Sequence, residues 1–252
     1  MSILSSITTG KRRNPALAII YGVDGVGKST FGANAPKPIF ISGEKGTDHL
    51  DVARFPQPAN IGELGKQLTA LAEEQHGYET VVLDSLDWIE PLVWQQVCKE
   101  GKVESIEDYG GGYGKGYVRA VELWRRLLEV YVKPLTDKMN VVLIAHAQIK
   151  AFSDPTQPAP YDRYQLKLHE KSAAVLREAV DCVLFAAFDT TVVLKQGEKK
   201  AKAVGDGERV LYTERRPGHD AKNRFNLPYE MPLEWAAFQK GVDTYYAPVK
   251  AD

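Results

Sequence analysis

The sequence is poor in several features that would each narrow its class. It holds two cysteines, Cys98 and Cys182, too few for a disulfide framework or a zinc spacing, which points to a reducing compartment and two buried thiols. No apolar run approaches the roughly 20 residues of a membrane span, and the opening MSILSSITTGKRRNP has no long apolar core. No membrane contact is therefore expected, and the expected location is cytoplasmic. An excess of one charge is missing too. The 32 Lys and Arg stand against 33 Asp and Glu, so no overall basic field advertises nucleic acid and any such surface must be local. Repeats, Ser/Gly linkers and low-complexity tracts are lacking. The 252 residues read as a leading segment, 1–15, and one α/β domain, 16–252, large enough to bury a sizeable core.

What is present begins with compact apolar runs. ALAIIYG (16–22), PIFIS (38–42), TVVLD (80–84) and NVVLIAH (140–146) show no polar alternation, as expected of strands covered on both faces in a parallel sheet. Helical stretches are expected between them at 61–75, 86–100 and about 117–138. In the last, Val121, Leu123, Trp124, Leu127, Leu128 and Tyr131 keep a spacing near 3.6. After His146 the pattern changes. AFSDPTQPAPYDRYQ (151–165) reads as a proline-rich loop and HEKSAAVLREA as a helix. DCVLFAAF, TTVVLK and RVLYTER read as consecutive strands, the last two joined as a hairpin through a Lys-rich turn.

The first run leads into IIYGVDGVGKSTFG, which fits G-x-x-x-x-G-K-[ST] in the strand–turn–helix context that gives the pattern its meaning. Gly22, Val23, Asp24, Gly25, Val26, Gly27, Lys28, Ser29 and Thr30 form the expected phosphate cradle. The glycines let backbone N–H groups point inward, Lys28 supplies a point charge, and the Ser29 hydroxyl suits Mg²⁺. A second magnesium group should be an acid ending an apolar strand, and Asp84 fits; alone, such an Asp is commonly a turn or cap residue. Ser85 follows it, so a hydrolytic base must come from elsewhere. Glu44, just past PIFIS, is the candidate, with a solvent-exposed side chain as the alternative. No N-K-x-D segment reads guanine, so the expected cofactors are ATP and Mg²⁺.

These pieces together resemble the RecA-type ATPase core rather than an AAA+ or ABC module. The resemblance implies a RecA-like P-loop NTPase: an α/β fold with a mostly parallel central sheet flanked by helices and a C-terminal antiparallel extension. IFISGE resembles the strand carrying the catalytic glutamate and VVLDSL the Walker B strand. VLIAHAQIK resembles the strand ending in a γ-phosphate-sensing glutamine, which would make Gln148 the sensor with His146 beside it. Lys222-Asn223-Arg224-Phe225 resembles the K-N-R-F element of RadA and the K-x-R of DnaB-type helicases, implying that Lys222 and Arg224 reach a neighbouring subunit's nucleotide in a ring or filament homo-oligomer. A solvated basic pair is the alternative. The chain departs from RecA at Ser42-Gly43, where RecA has an acidic residue followed by a small one.

The order of these elements is most similar to phage-encoded minimal RecA-type proteins. That similarity implies single-stranded DNA binding, strand annealing in recombination, a single-strand-binding protein as a further partner, and the host cytoplasm as location. Two loops are expected to carry the DNA contacts. The first, 103–119, offers Tyr109, Tyr113, Lys115, Tyr117 and Arg119; the second, 150–171, offers Lys150, Arg163 and Lys167. Aromatics stack on bases while cations track phosphates. Plain loops are the alternative for both. A DnaB-type ring motor, a small-molecule phosphotransferase and a non-catalytic nucleotide-gated module remain competing functions.

Overall fold

The computed structural model describes residues 3–43, 47–193, 202–205 and 207–247. Its strands are β1 (Leu17–Gly22), β2 (Pro38–Ser42), β3 (Ala53–Arg54), β4 (Thr80–Asp84), β5 (Asn140–Phe152), β6 (Tyr161–Leu166), β7 (Cys182–Phe188), β8 (Thr191–Val193), β9 (Lys202–Val204), β10 (Arg209–Tyr212), β11 (Lys222–Asn223) and β12 (Glu230–Pro232). The helices are α1 (Lys28–Ala33), α2 (Ile61–Glu73), α3 (Leu86–Gly101), α4 (Lys115–Arg126), α5 (Glu170–Ala179) and α6 (Trp235–Tyr246). The central sheet runs β12-β10-β7-β1-β5-β4-β2-β3. From β7 to β3 neighbouring strands are parallel, while β10, β12 and β11 add antiparallel pairs at the β7 side. This is an α/β P-loop NTPase fold with a C-terminal antiparallel extension.

Strand side chains alternate between two cores, which explains why the runs lack polar positions. Ile19, Tyr21, Val81, Leu83, Val141 and Leu143 pack toward α2, α3, α4 and α5. Ala18, Ile20, Val82, Val142 and Ile144 face the other way, where Phe31 of α1 and Phe238 of α6 cover them. α4 continues through a π turn (Leu127–Val132) and a 3-10 turn (Lys133–Asp137) before β5 begins. Its expected apolar face includes the fully buried Trp124.

Two expectations past His146 need correction. The stretch 151–165 is not one loop: β5 runs on to Phe152 and pairs antiparallel with β6, Phe152 opposite Tyr161 and Lys150 opposite Arg163. Pro155, Pro158 and Pro160 fall in the connection, where a missing N–H breaks no ladder, so the flanking residues are free to pair. The expected hairpin is also divided. β8 pairs with β9, whereas β10 pairs with β7, placing Val210 opposite Ala187 and Leu211 opposite Ala186. Leu211 is wholly buried there, and that burial selects β7 as the partner. Lys195, Lys199 and Lys200 of the Lys-rich turn lie outside the described residues.

At the end of β1 the backbones of β1 and β7 approach closely. A Cβ on Gly22 would stand 2.2 Å from the Ala186 carbonyl oxygen. Gly22→Ala is therefore expected to push β1 from β7 and lower unfolding free energy by about 1–3 kcal/mol, read by denaturant titration. A parent-like midpoint would show that the two strands separate without cost.

Candidate nucleotide site

The C-terminal ends of the parallel strands form one rim. Gly22 is level with His146 of β5 and Ala186 of β7, and Asp84 is level with Ser42 of β2 and Ile144 of β5. Such a rim is where ligands meet open α/β sheets. A cleft of about 660 Å³ opens here, lined by P-loop residues Asp24, Gly25 and Gly27 to Thr30, by Asp84, Asp87 and His146, and by Lys167 and Arg209.

Between β1 and α1 the chain turns through Gly25 and Gly27, both at positive φ. Gly27 has φ 107° and directly precedes α1, a conformation that a side chain would strain. The Lys28 ammonium lies on the cleft floor, only 6% exposed, donating to the carbonyls of Gly22 (3.0 Å) and Val23 (2.9 Å). Burial lowers its pKa, opposed by the charges of Asp24, Asp84 and Asp87. Ser29 Oγ donates to Asp84 Oδ2 at 2.6 Å, tying α1 to the end of β4. These hard oxygens suit Mg²⁺, which takes one or two protein ligands and leaves its other positions to water and phosphate. Glu44, the expected base, lies outside the described residues.

Sequence reasoning missed Asp87, the second residue of α3. Its carboxylate accepts from the His146 backbone N–H (2.9 Å) and from His146 Nδ1 (2.7 Å), while His146 Nε2 stands 3.3 Å from Asp24 Oδ1. The Asp87 hydrogen bond raises the His146 pKa against the opposing effects of burial and the Lys28 charge. Burial alone would raise Asp87, but the bonds from the His146 ring and amide outweigh it and leave the carboxyl below its usual range. Arg209, also missed, comes from β10, and its guanidinium lies 2.9 Å from where a Cβ on Gly27 would sit. No sequence motif marks it, because only the β7–β10 pairing brings it to the P-loop.

The AAA domain family matches residues 14–225. The chain belongs to this family. The RecA resemblance favours that core over AAA+ modules; the family match supports its coarser part, an AAA-type P-loop ATPase domain. The SPbeta prophage-derived uncharacterized protein YorG of Bacillus subtilis (strain 168) is 29% identical over 133 residues, 51% of this chain; the match covers 40% of that relative's length. No helix among the described residues is long and apolar enough to cross a membrane.

Other expected site residues of this AAA domain fall in different places. Gln148 lies within β5, its amide turned to the carbonyls of Leu166 (2.7 Å) and Leu168 (3.4 Å). Lys222 and Arg224 lie at the opposite edge of the sheet: Lys222 is level with Val183, and the Arg224 N–H bonds the Asp181 carbonyl. Counted back along the chain from Ala186, Val183 is about 10 Å away and Asp181 about 17 Å. The Lys222 ammonium donates to the carbonyls of Arg177, Glu178 and Val180, capping the end of α5. Arg224 is exposed and pairs with Asp181 at 3.3 Å.

The first DNA-candidate loop joins α3 to α4 rather than leaving a strand end, and Tyr117 and Arg119 are already on α4. Tyr117 stacks on His169 at 4.1 Å, Tyr109 packs over Gly101, and Arg119 pairs with Glu100 and Glu122. Tyr113 is 99% exposed at φ 55°, beside exposed Lys115, which donates to the Gly110 carbonyl. Lys150 is exposed on β5. Arg163 is 4% exposed, bonded to the Pro217 carbonyl and stacked on Phe152, so it offers no free cation to a phosphate. Lys167 faces the nucleotide cleft.

Two predictions test these placements. His146, raised, stabilises the fold fully below its unfolded value of about 6.5, and that contribution fades as pH rises through its folded pKa. Asp87, depressed, stabilises above about 3.9, and that contribution fades as pH falls through its folded pKa. The stability lost in Asp87→Asn should therefore be larger at about pH 5.5 than at about pH 9; equal losses would exclude the charged pair. Lys222→Met should cost about 1–3 kcal/mol of stability by leaving helix-end carbonyls without their donor. Unchanged stability would leave Lys222 free for a contact outside its own subunit.

Proposed function

We propose that this chain is a Mg²⁺-dependent ATPase that binds single-stranded DNA and promotes strand annealing in phage recombination, working as a ring or filament of identical subunits. The observation that carries the nucleotide part is the junction of Lys28, Ser29 and Asp84: a buried ammonium beside a hydroxyl–carboxylate pair 2.6 Å apart, on the cleft rim. ATP and Mg²⁺ suit that donor set. Lys28 would hold the terminal phosphates, Ser29 and Asp84 the ion, and Glu44 would orient the attacking water. The phosphates of a bound nucleotide would supply the charge that draws the ion in.

The DNA part is supported by Tyr113, a large aromatic held in full solvent contact within a run of glycines and next to Lys115, with Lys150 exposed elsewhere. An exposed ring on a glycine-rich loop can meet successive bases in varied geometry. The prophage origin in the relative's name supports the phage setting. Arg224 supports assembly. Standing at the far edge from its own cleft, it can meet a nucleotide only on another copy, where a guanidinium suits a transferring phosphoryl group.

Hydrolysis measured with and without single-stranded DNA tests the proposal. Lys28→Ala should abolish nucleotide binding, and Glu44→Gln should bind ATP but stall. Tyr113→Ala should weaken single-strand affinity by about 1–3 kcal/mol, with binding falling as salt rises. Parent hydrolysis that ignores DNA, with Tyr113→Ala binding unchanged, would leave a P-loop ATPase without the DNA role.

A further inference from the structure

His146, midway along β5 and level with the end of β1, is held at both its backbone and its ring, with the ring toward the cleft. Asp87 takes both its backbone N–H and its Nδ1 proton, which sets the tautomer and the ring plane and leaves Nε2 as the free end of the imidazole. That free end faces the P-loop, 3.3 Å from the carboxylate of Asp24, an exposed side chain that can move aside. The backbone position is equally constrained. His146 is level with Gly22, the first residue of the P-loop, and two residues beyond Ile144, which is level with Asp84. The ring therefore stands between the phosphate cradle and the Asp84 carboxylate, and Lys28, Asp84 and Lys167 line the same cleft.

We propose that His146, oriented by Asp87, is the residue that contacts the terminal phosphate of a bound nucleoside triphosphate, in the place Gln148 was expected to fill. The inference rests on the nucleotide reading of the cleft. His146 and Gln148 are two residues apart on one strand and share a face, so either could serve the same side of the sheet. The Gln148 amide is spent on the carbonyls of Leu166 and Leu168, holding the β5–β6 hairpin, whereas His146 Nε2 points into the cleft. As an imidazolium, His146 donates from Nε2 to a phosphate oxygen while Nδ1 stays on Asp87, a charge-assisted bond at one end and an orienting bond at the other. A diphosphate lacks the group that this donor meets, so the contact distinguishes the two nucleotides. Asp87 touches no substrate and is a positioning residue.

The experiment is nucleotide binding without turnover, with ATPγS–Mg²⁺ and ADP–Mg²⁺ as probes and the histidine rings of the full chain labelled for NMR. One ring signal, identified as His146 by its loss in His146→Gln, should move with ATPγS and stay near its free position with ADP. His146→Gln should reduce the preference for ATPγS over ADP about 10-fold, the size of one hydrogen bond to a charged group. Asp87→Asn, which keeps the shape of the pair, should let the ring titrate nearer the ordinary histidine value and weaken the same preference at neutral pH. A parent that binds neither probe would overturn the nucleotide reading and the inference with it. Binding of both probes with an unmoved His146 signal, or with the preference intact in both variants, would overturn the inference alone. Loss of the preference in Gln148→Ala but not in His146→Gln would return the role to Gln148.

Discussion

The cleft depends on β1 being paired on both sides in parallel register. With β5 on one flank and β7 on the other, Gly22 ends level with His146 and Ala186, and the chain can leave the sheet only by turning over the rim. The closeness of that pairing fixes glycine at the last strand position. Once β1 is pinned, the short turn to α1 brings Ser29 within hydrogen-bond distance of Asp84, although β5 lies between β1 and β4 in the sheet. A contact across two strand spacings, about 9–10 Å of backbone separation, is made by a helix start bridging over the rim. The two cores then hold the bridge rigid, because β1 and β5 contribute alternate side chains to both.

What could be read from sequence follows the range of the forces involved. The strands at 38–42 and 80–84, the P-loop and the pairing of Ser29 with Asp84 were legible because each is local or belongs to a motif whose geometry is set by its own residues. The partner of β10 was not legible. Whether RVLY folds back on TTVV or onto β7 depends on which surface buries Leu211, and that surface lies more than twenty residues away in the chain. Arg209 was hidden for the same reason. Asp87 was hidden differently: three residues past a strand-end acid, it reads as an ordinary first-turn helix carboxylate until β5 places His146 against it.

The aromatic and basic candidates divide on a similar line. Composition could mark the 103–119 segment as rich in tyrosine and glycine, but it could not assign each ring to core or solvent. Tyr109 and Tyr117 are drawn inward because α3, α4 and α5 offer apolar and aromatic surface at those positions. Tyr113 sits among glycines at positive φ, where the backbone turns away from that surface and nothing covers the ring. Arg163 shows the converse for charge. Its place on β6 opposite Lys150 puts it under Phe152 and the 216–219 turn, so a residue that reads as a surface cation becomes part of the packing of the hairpin.

Charge in the cleft is arranged so that the P-loop lysine is costly to hold and therefore available. Burial works against the Lys28 ammonium, and the three carboxylates that offset it, Asp24, Asp84 and Asp87, each have another partner: Asp24 the His146 ring, Asp84 the Ser29 hydroxyl, Asp87 the His146 ring and amide. The ammonium's own bonds are to neutral carbonyls of its loop. Replacing two carbonyl bonds by bonds to an anionic oxygen strengthens each one in a partly desolvated site, so an anion entering the cleft gains from a cation that the fold has already stripped of water. His146 extends that logic along the rim. The Asp87 hydrogen bond raises its proton affinity against burial and the Lys28 charge, and Asp24 and Asp87 act on both the ammonium and the ring. The cleft thus presents the Lys28 ammonium and the His146 ring side by side, with each carboxylate held against one of them or against the Ser29 hydroxyl.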